Sequence, residues 1–140
     1  MGTARRAAFE PGERLSGRPK TINDLHMVDF ERVIWHRVAN VHSDPAVAKT
    51  VGMARPIASG QNQLAFLHEM MTMHFADGWV QGGRISVRWI KPLYLGDVVT
   101  PRAEVKAVTR QDGRLRAGLD VWCENQDGDK TAVGSAEAFA

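Results

Sequence analysis

The chain has 140 residues, 44% of them hydrophobic and 24% charged, which suits one globular domain and excludes a wholly disordered chain. Its 18 Lys and Arg against 16 Asp and Glu give a formal net charge of +2, and the basic residues are scattered, so we expect no binding of nucleic acid. The single cysteine, Cys123, excludes an intramolecular disulfide and a metal cluster held by cysteines. Because no apolar run reaches the roughly 20 residues that span a bilayer, and no signal-peptide pattern is present, we expect a cytoplasmic protein without membrane contact.

The N-terminal part of the chain predicts a short edge strand followed by a helix. Residues up to Lys20 are rich in Gly, Pro, Arg and Glu, which is typical of a tail that leads into such a strand. From Val28 to Ala39, apolar side chains recur at helical spacing. Asn23 and Asp24 precede this segment, and either of them is a candidate for its N-cap.

A second, short helix is predicted to begin at Asp44-Pro45 and to run through Lys49. Aspartate is a favoured N-cap, and proline is favoured at the first helical position because its missing N–H is not needed there. Gly52 follows and predicts the end of the helix, since glycine readily adopts the left-handed conformation of a C-terminal cap.

The longest helical pattern spans residues 59–75. Its apolar residues recur on one face, namely Leu64, Leu67, Met71 and Phe75, with Phe66 and Met70 beside them. His68 and His74 also lie in this segment, six residues apart. Zinc ligation on one helix face needs histidines about four residues apart, so the spacing argues against a metal site.

Beyond residue 83 the periodicity changes from helical to alternating. Ile85, Val87 and Trp89 alternate with polar residues, which predicts a half-buried strand. Further strands are predicted at 98–109, 114–124 and 131–139, with turns at Asp112-Gly113 and Asp127-Gly128. We therefore predict an α+β fold in which a curved antiparallel sheet wraps around one central helix, residues 59–75.

Two segments of the sequence resemble a known family. They read VHSDPAVAKTVGMARPIASGQ (41–61) and GGRISVRWIKPLYLGDVVTPRAEV (82–105), and both resemble the MaoC-like hotdog family of (R)-specific enoyl-CoA hydratases and 3-hydroxyacyl dehydratases. The resemblance implies the hotdog fold for one domain at residues 9–140, preceded by a flexible tail at residues 1–8.

The resemblance implies that His42 is an acid/base catalyst, because a neutral imidazole can take or give a proton near neutral pH. The alternative is a histidine that only orders its own loop. In the family an aspartate lies five residues before this histidine, where the present chain has Arg37. Asn40 lies two residues before His42 rather than three, and a one-residue shift of the loop brings Val38 to the aspartate's position, again without a carboxylate.

Further site residues follow from the same resemblance. The backbone N–H of Gly60, at the start of the central helix, is expected to stabilise the enolate oxygen of a bound thioester. The catalytic set is then His42, Asn40 and Gly60, and the expected substrate-binding residues are Ser59, Asp44, Gln61, Arg84 and Arg88. Simpler roles stay open, namely helix capping for Ser59 and Asp44, and solvated strand charges for the two arginines.

Three functions are compatible with this reading. The first is a hydratase or dehydratase acting on enoyl-CoA or 3-hydroxyacyl-CoA. The second is a non-catalytic hotdog subunit or acyl-CoA-binding protein, and the third and weakest is a thioesterase that uses Glu69. We expect no metal and no cofactor, with coenzyme A present only as part of the substrate. As partners we expect a second copy joined edge to edge in a dimer or higher oligomer, or an active hydratase subunit in a heterodimer.

Overall fold

The computed structural model describes residues 8–35 and 39–140. Its elements are β1 (Arg14–Ser16), β2 (Lys20–Thr21), a π-helical turn (Leu25–Asp29) that continues into α1 (Phe30–Trp35), α2 (Pro45–Thr50), α3 (Gly60–Phe75), α4 (Asp77–Val80), β3 (Arg84–Trp89), β4 (Val98–Gln111), β5 (Arg114–Glu124) and β6 (Lys130–Phe139). The expected flexible tail falls mostly on residues 1–7, which lie outside the described residues.

The first helix begins earlier than the sequence pattern predicts. Its π-helical turn starts at Leu25, three residues before Val28. Asn23 caps this turn, since its Oδ1 accepts a hydrogen bond of 3.4 Å from the His26 N–H, whereas the Asp24 side chain makes no such bond. Leu25 is exposed and only Met27 of this turn is buried, so the turn does not show the apolar repeat that marks the rest of the helix. The structure describes the helix as far as Trp35, and residues 36–38 lie outside the described part of the chain. Ala39, the predicted end, lies in a bend rather than in a helix.

The described strands form one antiparallel sheet in the order β1-β4-β5-β6-β3, with β2 paired to β4. The four predicted strands are confirmed, and β4 extends two residues further than expected, to Gln111. In β3 the expected alternation holds for Ile85 and Val87 but not for Trp89, which is exposed. Asp112 and Gly113 both have positive φ, as the tight turn between β4 and β5 requires. The register shifts between Val105 and Ala107 and between Cys123 and Glu124, and such irregularities bend strands locally.

The concave face of the sheet packs against α3. Small side chains on β6, namely Ala132, Ala136 and Ala138, are buried there and let the helix approach closely. From α3 itself, the buried apolar residues are Phe66, Leu67, Met70, Met71 and Phe75. Leu64, which the apolar pattern placed on the buried face, is only half-buried, while the polar residues Asn62 and Gln63 are buried. The core-facing surface of α3 is thus polar at its N-terminal end.

The convex face of the sheet and the β3 edge are exposed. Arg84 and Arg88 project from the convex face, opposite Glu137 and Val133 of β6 in the register. Among the described strands, β3 pairs only with β6, so its second edge carries unpaired backbone groups. Trp89 at the end of this edge is 52% exposed.

Candidate functional site

A pocket of about 320 Å³ opens at the N-terminus of α3. It is lined by His42, Met53, Ile57, Ala58, Gly60, Gln63, Trp89, Ile90, Lys91, Pro92 and Leu93. Most of these side chains are apolar, and the polar ones converge from three different parts of the chain. Such a cleft, with apolar walls and few polar groups, is typical of a small-molecule site.

The His42 ring is held in one tautomer. Its Nδ1 lies 2.7 Å from the Ile57 carbonyl oxygen. Because a carbonyl oxygen only accepts hydrogen bonds, Nδ1 carries the proton and donates it. In the neutral ring, Nε2 then keeps its lone pair and is the atom available as a base. The bond therefore orders the loop and fixes the orientation of the ring.

The strand-like segment that carries Ile57 is itself fixed to the far side of the pocket. Ile57 bridges to Tyr94, and the Ala58 N–H donates to the Leu93 carbonyl at 2.7 Å. The Ile57 N–H in turn donates to the Val41 carbonyl at 3.3 Å, next to His42. The acceptor that orients the imidazole is thus part of a small backbone network rather than a free loop.

A buried carboxylate supports the His42 loop through Asn40. The Asn40 Oδ1 accepts from the His42 backbone N–H at 2.7 Å, and its Nδ2 donates to Glu31 Oε2 at 3.3 Å. Glu31, on α1, is only 2% exposed, and its Oε1 has no hydrogen-bond partner among the described residues. Sequence reasoning missed Glu31, because nothing in the helical pattern marks this glutamate as buried. Asn40 contacts the backbone of His42, and it is not among the residues that line the pocket.

Asp44 caps α2 rather than facing the pocket. Its Oδ1 accepts hydrogen bonds from the Ala46 N–H at 2.7 Å and the Val47 N–H at 3.4 Å. The capping role of Asp44 and the start of the helix at Pro45 are therefore confirmed. Gly52 has φ +79°, in agreement with its predicted role in ending this helix.

Gly60 lies beneath an indole ring. The Trp89 Nε1 donates to the Gly60 carbonyl oxygen at 3.1 Å, and a Cβ on Gly60 would overlap the Trp89 ring. The Gly60 N–H has no hydrogen-bond partner among the described residues, as is usual for the first N–H groups of a helix. Ser59 occupies the N-cap position without a capping bond, is buried, and accepts from Asn62 Nδ2 at 3.4 Å.

The remaining expected binding residues lie apart from this pocket. Gln61 is exposed and Ser59 is buried, and neither residue lines the pocket. Arg84 and Arg88 lie on the convex face, and Arg88 lines a separate cavity of about 720 Å³. The structure thus brings together His42 and Gly60 from the expected set. The substituted carboxylate position, Arg37 or Val38, lies outside the described residues.

The cysteine and two further histidines are buried or hydrogen-bonded outside the pocket. Burial raises the pKa of the Cys123 thiol to about 12, so this cysteine stays protonated at neutral pH. His68 Nδ1 accepts from Trp79 Nε1 at 3.2 Å, and His74 Nε2 lies 3.0 Å from the Ser16 carbonyl oxygen.

Over the described residues, His, Cys, Asp and Glu form no group of three or more that could hold a metal ion. Every helix in the described ranges is too short or too polar to cross a bilayer.

Comparison with protein families gives a match over most of this chain. The family model for the MaoC-like domain matches residues 11–121, a range that contains α3 and the whole pocket. The chain belongs to the MaoC-like domain family. A search of curated proteins gave no match.

Several solved structures share the fold of this chain. The MaoC-like dehydratase from Rhodospirillum rubrum aligns with a TM-score of 0.78 at 18% identity, over 94% of this chain and 92% of that one. The (R)-hydratase from A. caviae involved in PHA biosynthesis gives 0.76 at 23% identity, over 95% and 98%. The ChsH1-ChsH2 complex from Mycobacterium tuberculosis gives 0.75 at 19% identity, over 94% and 98%. This likeness identifies the predicted hotdog fold, with its antiparallel sheet around α3.

Proposed function

We propose that this MaoC-like protein adds water to, or removes it from, an acyl thioester of coenzyme A in the His42 pocket. The observation that carries the proposal is the 2.7 Å bond from His42 Nδ1 to the Ile57 carbonyl, which leaves Nε2 as a base beside the N-terminus of α3. The structural likeness to a MaoC-like dehydratase and to an (R)-hydratase supports the same class.

In hydration, Nε2 of His42 takes a proton from water while the water oxygen bonds to C3 of the 2-enoyl thioester. The electron pair of the C2–C3 double bond moves toward the thioester, so negative charge develops on its oxygen. The Gly60 N–H, which lacks a partner among the described residues, is the donor proposed for that oxygen. The imidazolium then gives the proton to C2, and the ring returns to its starting state.

A dimer fits the free edge of β3. Strands that expose a long unpaired edge are commonly covered by a second chain. Trp89 and Ile90 extend from this edge, are half-exposed and line the pocket. Pairing of two β3 edges would extend the sheet and enclose the open side of the site. We therefore propose a homodimer, and a stable monomer at micromolar concentration in sedimentation would contradict it.

A second candidate is a subunit that binds acyl-CoA without turning it over. Arg37 stands where the family has its catalytic aspartate, so the general acid/base pair is incomplete in the sequence. The ChsH1-ChsH2 complex, in which the matched chain shares the fold of this protein, is a precedent for this fold within a complex. A thioesterase is less well supported, because its expected carboxylate, Glu69, pairs with Lys20 and does not line the pocket.

Hydration of short and medium (E)-2-enoyl-CoA substrates by the purified protein separates these candidates. We expect measurable hydration that His42→Ala lowers by about 10²- to 10⁴-fold, because a positioned acid/base group contributes that much. His68→Gln changes a histidine outside the pocket and is the matched control. Full activity in His42→Ala would refute the assignment, whereas acyl-CoA binding without hydration in the wild type would favour the binding subunit.

A further inference from the structure

The inner end of the pocket carries a polar side chain that the proposed chemistry does not use. Gln63 lines the pocket one helical turn after Gly60, yet it is only 2% exposed. Its backbone carbonyl accepts from the Cys123 thiol at 3.8 Å, so Gln63 lies on the side of α3 that packs against the sheet. A buried carboxamide normally satisfies both its oxygen and its nitrogen, since an unmade hydrogen bond is costly there.

Only the oxygen of this carboxamide is satisfied by the described residues. Thr131 Oγ1, fully buried on β6, lies 2.7 Å from Gln63 Oε1 and 3.4 Å from the Cys123 carbonyl. The shorter distance is usual for an O–H···O bond and short for N–H···O, so the hydroxyl donates to Oε1. The two hydrogens of Nε2 then have no acceptor among the described residues, and the pocket that Gln63 lines is the space open to them.

We infer that Gln63 Nε2 donates a hydrogen bond to an oxygen atom carried by the acyl chain, so that the site selects oxygen-bearing acyl groups. The inference rests on the proposed function, because it takes the ligand to be an acyl thioester that enters at Gly60. Gln63 follows Gly60 by three residues, a rise of about 4.5 Å along the helix. With the thioester oxygen at the Gly60 N–H, that distance brings C4 or C5 of an extended acyl chain beside Gln63.

The oxygen belongs to a neutral group, a ketone or a hydroxyl. A carboxylate at the same depth would lose its hydration and gain only a neutral amide as partner. The cation that lines the pocket, Lys91, is more than half exposed and pairs with Asp129 at 3.0 Å, at the rim rather than at the buried end. A wholly hydrocarbon chain, in turn, would leave the Nε2 hydrogens desolvated and without an acceptor.

A pair of saturated ligands tests the inference without turnover. In 5-oxohexanoyl-CoA a carbonyl oxygen stands at C5, and 5-methylhexanoyl-CoA carries a methyl group of similar size at that position. Calorimetry on the full-length protein should give the oxo ligand about tenfold tighter binding, the usual value of one hydrogen bond at a buried site. Because both ligands lack the C2–C3 double bond, neither can be hydrated during the measurement.

Substitutions identify the donor. Gln63→Leu removes both Nε2 hydrogens at similar volume and should abolish the preference for the oxo ligand. Thr131→Val is the matched control, because it removes the partner of Oε1 and leaves the Nε2 donors, so the preference should persist. If Gln63→Leu unfolds, Gln63→Met keeps an unbranched side chain of similar length without an N–H donor and should likewise abolish the preference.

The outcomes separate the inference from the proposed function. Equal affinity for both ligands in the wild type, as expected if water satisfies Nε2, would overturn the inference and leave acyl-CoA binding intact. A preference that survives in Gln63→Leu would overturn it as well. If neither ligand binds, the proposed function itself fails, and the inference fails with it.

Discussion

The two ends of α3 meet very different surroundings. At the C-terminal end, Met70, Met71 and Phe75 are buried among apolar side chains, and Phe75 stacks on Phe9 with ring centroids 4.3 Å apart. At the N-terminal end, the buried side chains are Asn62 and Gln63, and the helix faces a pocket. The first end is held by close packing, and the second by hydrogen bonds to loops and strands.

From this difference we expect the C-terminal end of α3 to contribute mainly to stability and the N-terminal end mainly to ligand binding. Apolar burial is strong and needs no particular geometry, so the C-terminal end can carry much of the stability. Hydrogen bonds contribute less net free energy but fix orientation, which a ligand site needs. Substitutions at the two ends should therefore separate stability from binding.

The largest loss of stability is expected at the packed end. Leu67 is 0% exposed, and Leu67→Ala should lower the free energy of unfolding by about 2–5 kcal/mol, because it removes buried methyl groups and leaves a cavity. Leu64→Ala, one turn away at a half-buried position, is the matched control and should cost clearly less. Urea unfolding of both variants checks the prediction, and equal losses would show that burial does not distinguish the two positions.

A smaller loss is expected where Glu31 supports the His42 loop. Glu31→Ala leaves the Asn40 amide without its acceptor and should lower the free energy of unfolding by about 1–3 kcal/mol. Because Asn40 also holds the backbone of His42, acyl-CoA affinity should fall in the same variant. Glu31→Gln keeps an oxygen that can accept from Asn40 and should lose less on both measures. A Glu31→Ala variant with wild-type stability and affinity would rule out this support.

The cap of α2 should contribute least to stability among these three positions. Asp44→Ala removes the acceptor for the Ala46 and Val47 N–H groups and should cost about 0.5–2 kcal/mol. Asp44→Asn retains an accepting oxygen and is the control. Since Asp44 does not line the pocket, acyl-CoA affinity should stay unchanged in the folded variants. A selective loss of affinity would instead assign Asp44 a role in binding.

Local patterns predicted the sheet well. β5 and β6 follow from alternation of apolar and polar residues and from Asp-Gly turns, and these signals act between close neighbours. The packed end of α3 follows equally from its apolar repeat. The π-helical start at Leu25 did not follow, because the exposed Leu25 does not continue the apolar repeat that begins at Val28.

The polar contacts of the site could not be predicted in the same way. Gln63 meets Thr131, which lies 68 residues away in the sequence, and His42 meets Ile57 across 15 residues. Such pairs depend on how the sheet and loops close over the helix. One signal was nevertheless present, because Asn62 and Gln63 precede Phe66 and Leu67 by four residues, the repeat of the buried face. The helical period places Asn62 and Gln63 on the buried face, although their polar side chains favour an exposed position.

The smallest expected effect concerns His26, which contacts both a polar and an apolar residue of α3. Its carbonyl accepts from Asn62 Nδ2 at 2.7 Å, and its ring meets Phe66 edge to face at 5.4 Å. Burial, and secondarily the positive charge of Lys20, lower the pKa of His26 below its usual 6.5. Between the folded-state pKa and 6.5, the unfolded chain therefore binds more protons than the native protein.

It follows that His26 makes the native state less stable as the pH falls below 6.5, and that its effect is constant above that value. His26→Phe keeps an aromatic ring against Phe66 and removes the titrating group, so its stability should vary less with pH over this window. Lys20→Met removes the secondary cause and should move the pKa of His26 part of the way back, although it also breaks the ion pair with Glu69. An NMR titration measures the pKa of His26 directly. Because burial disfavours the charged form of a histidine, the pKa of His26 should lie below its free value. A pKa at or above 6.5 in the wild type would contradict the prediction.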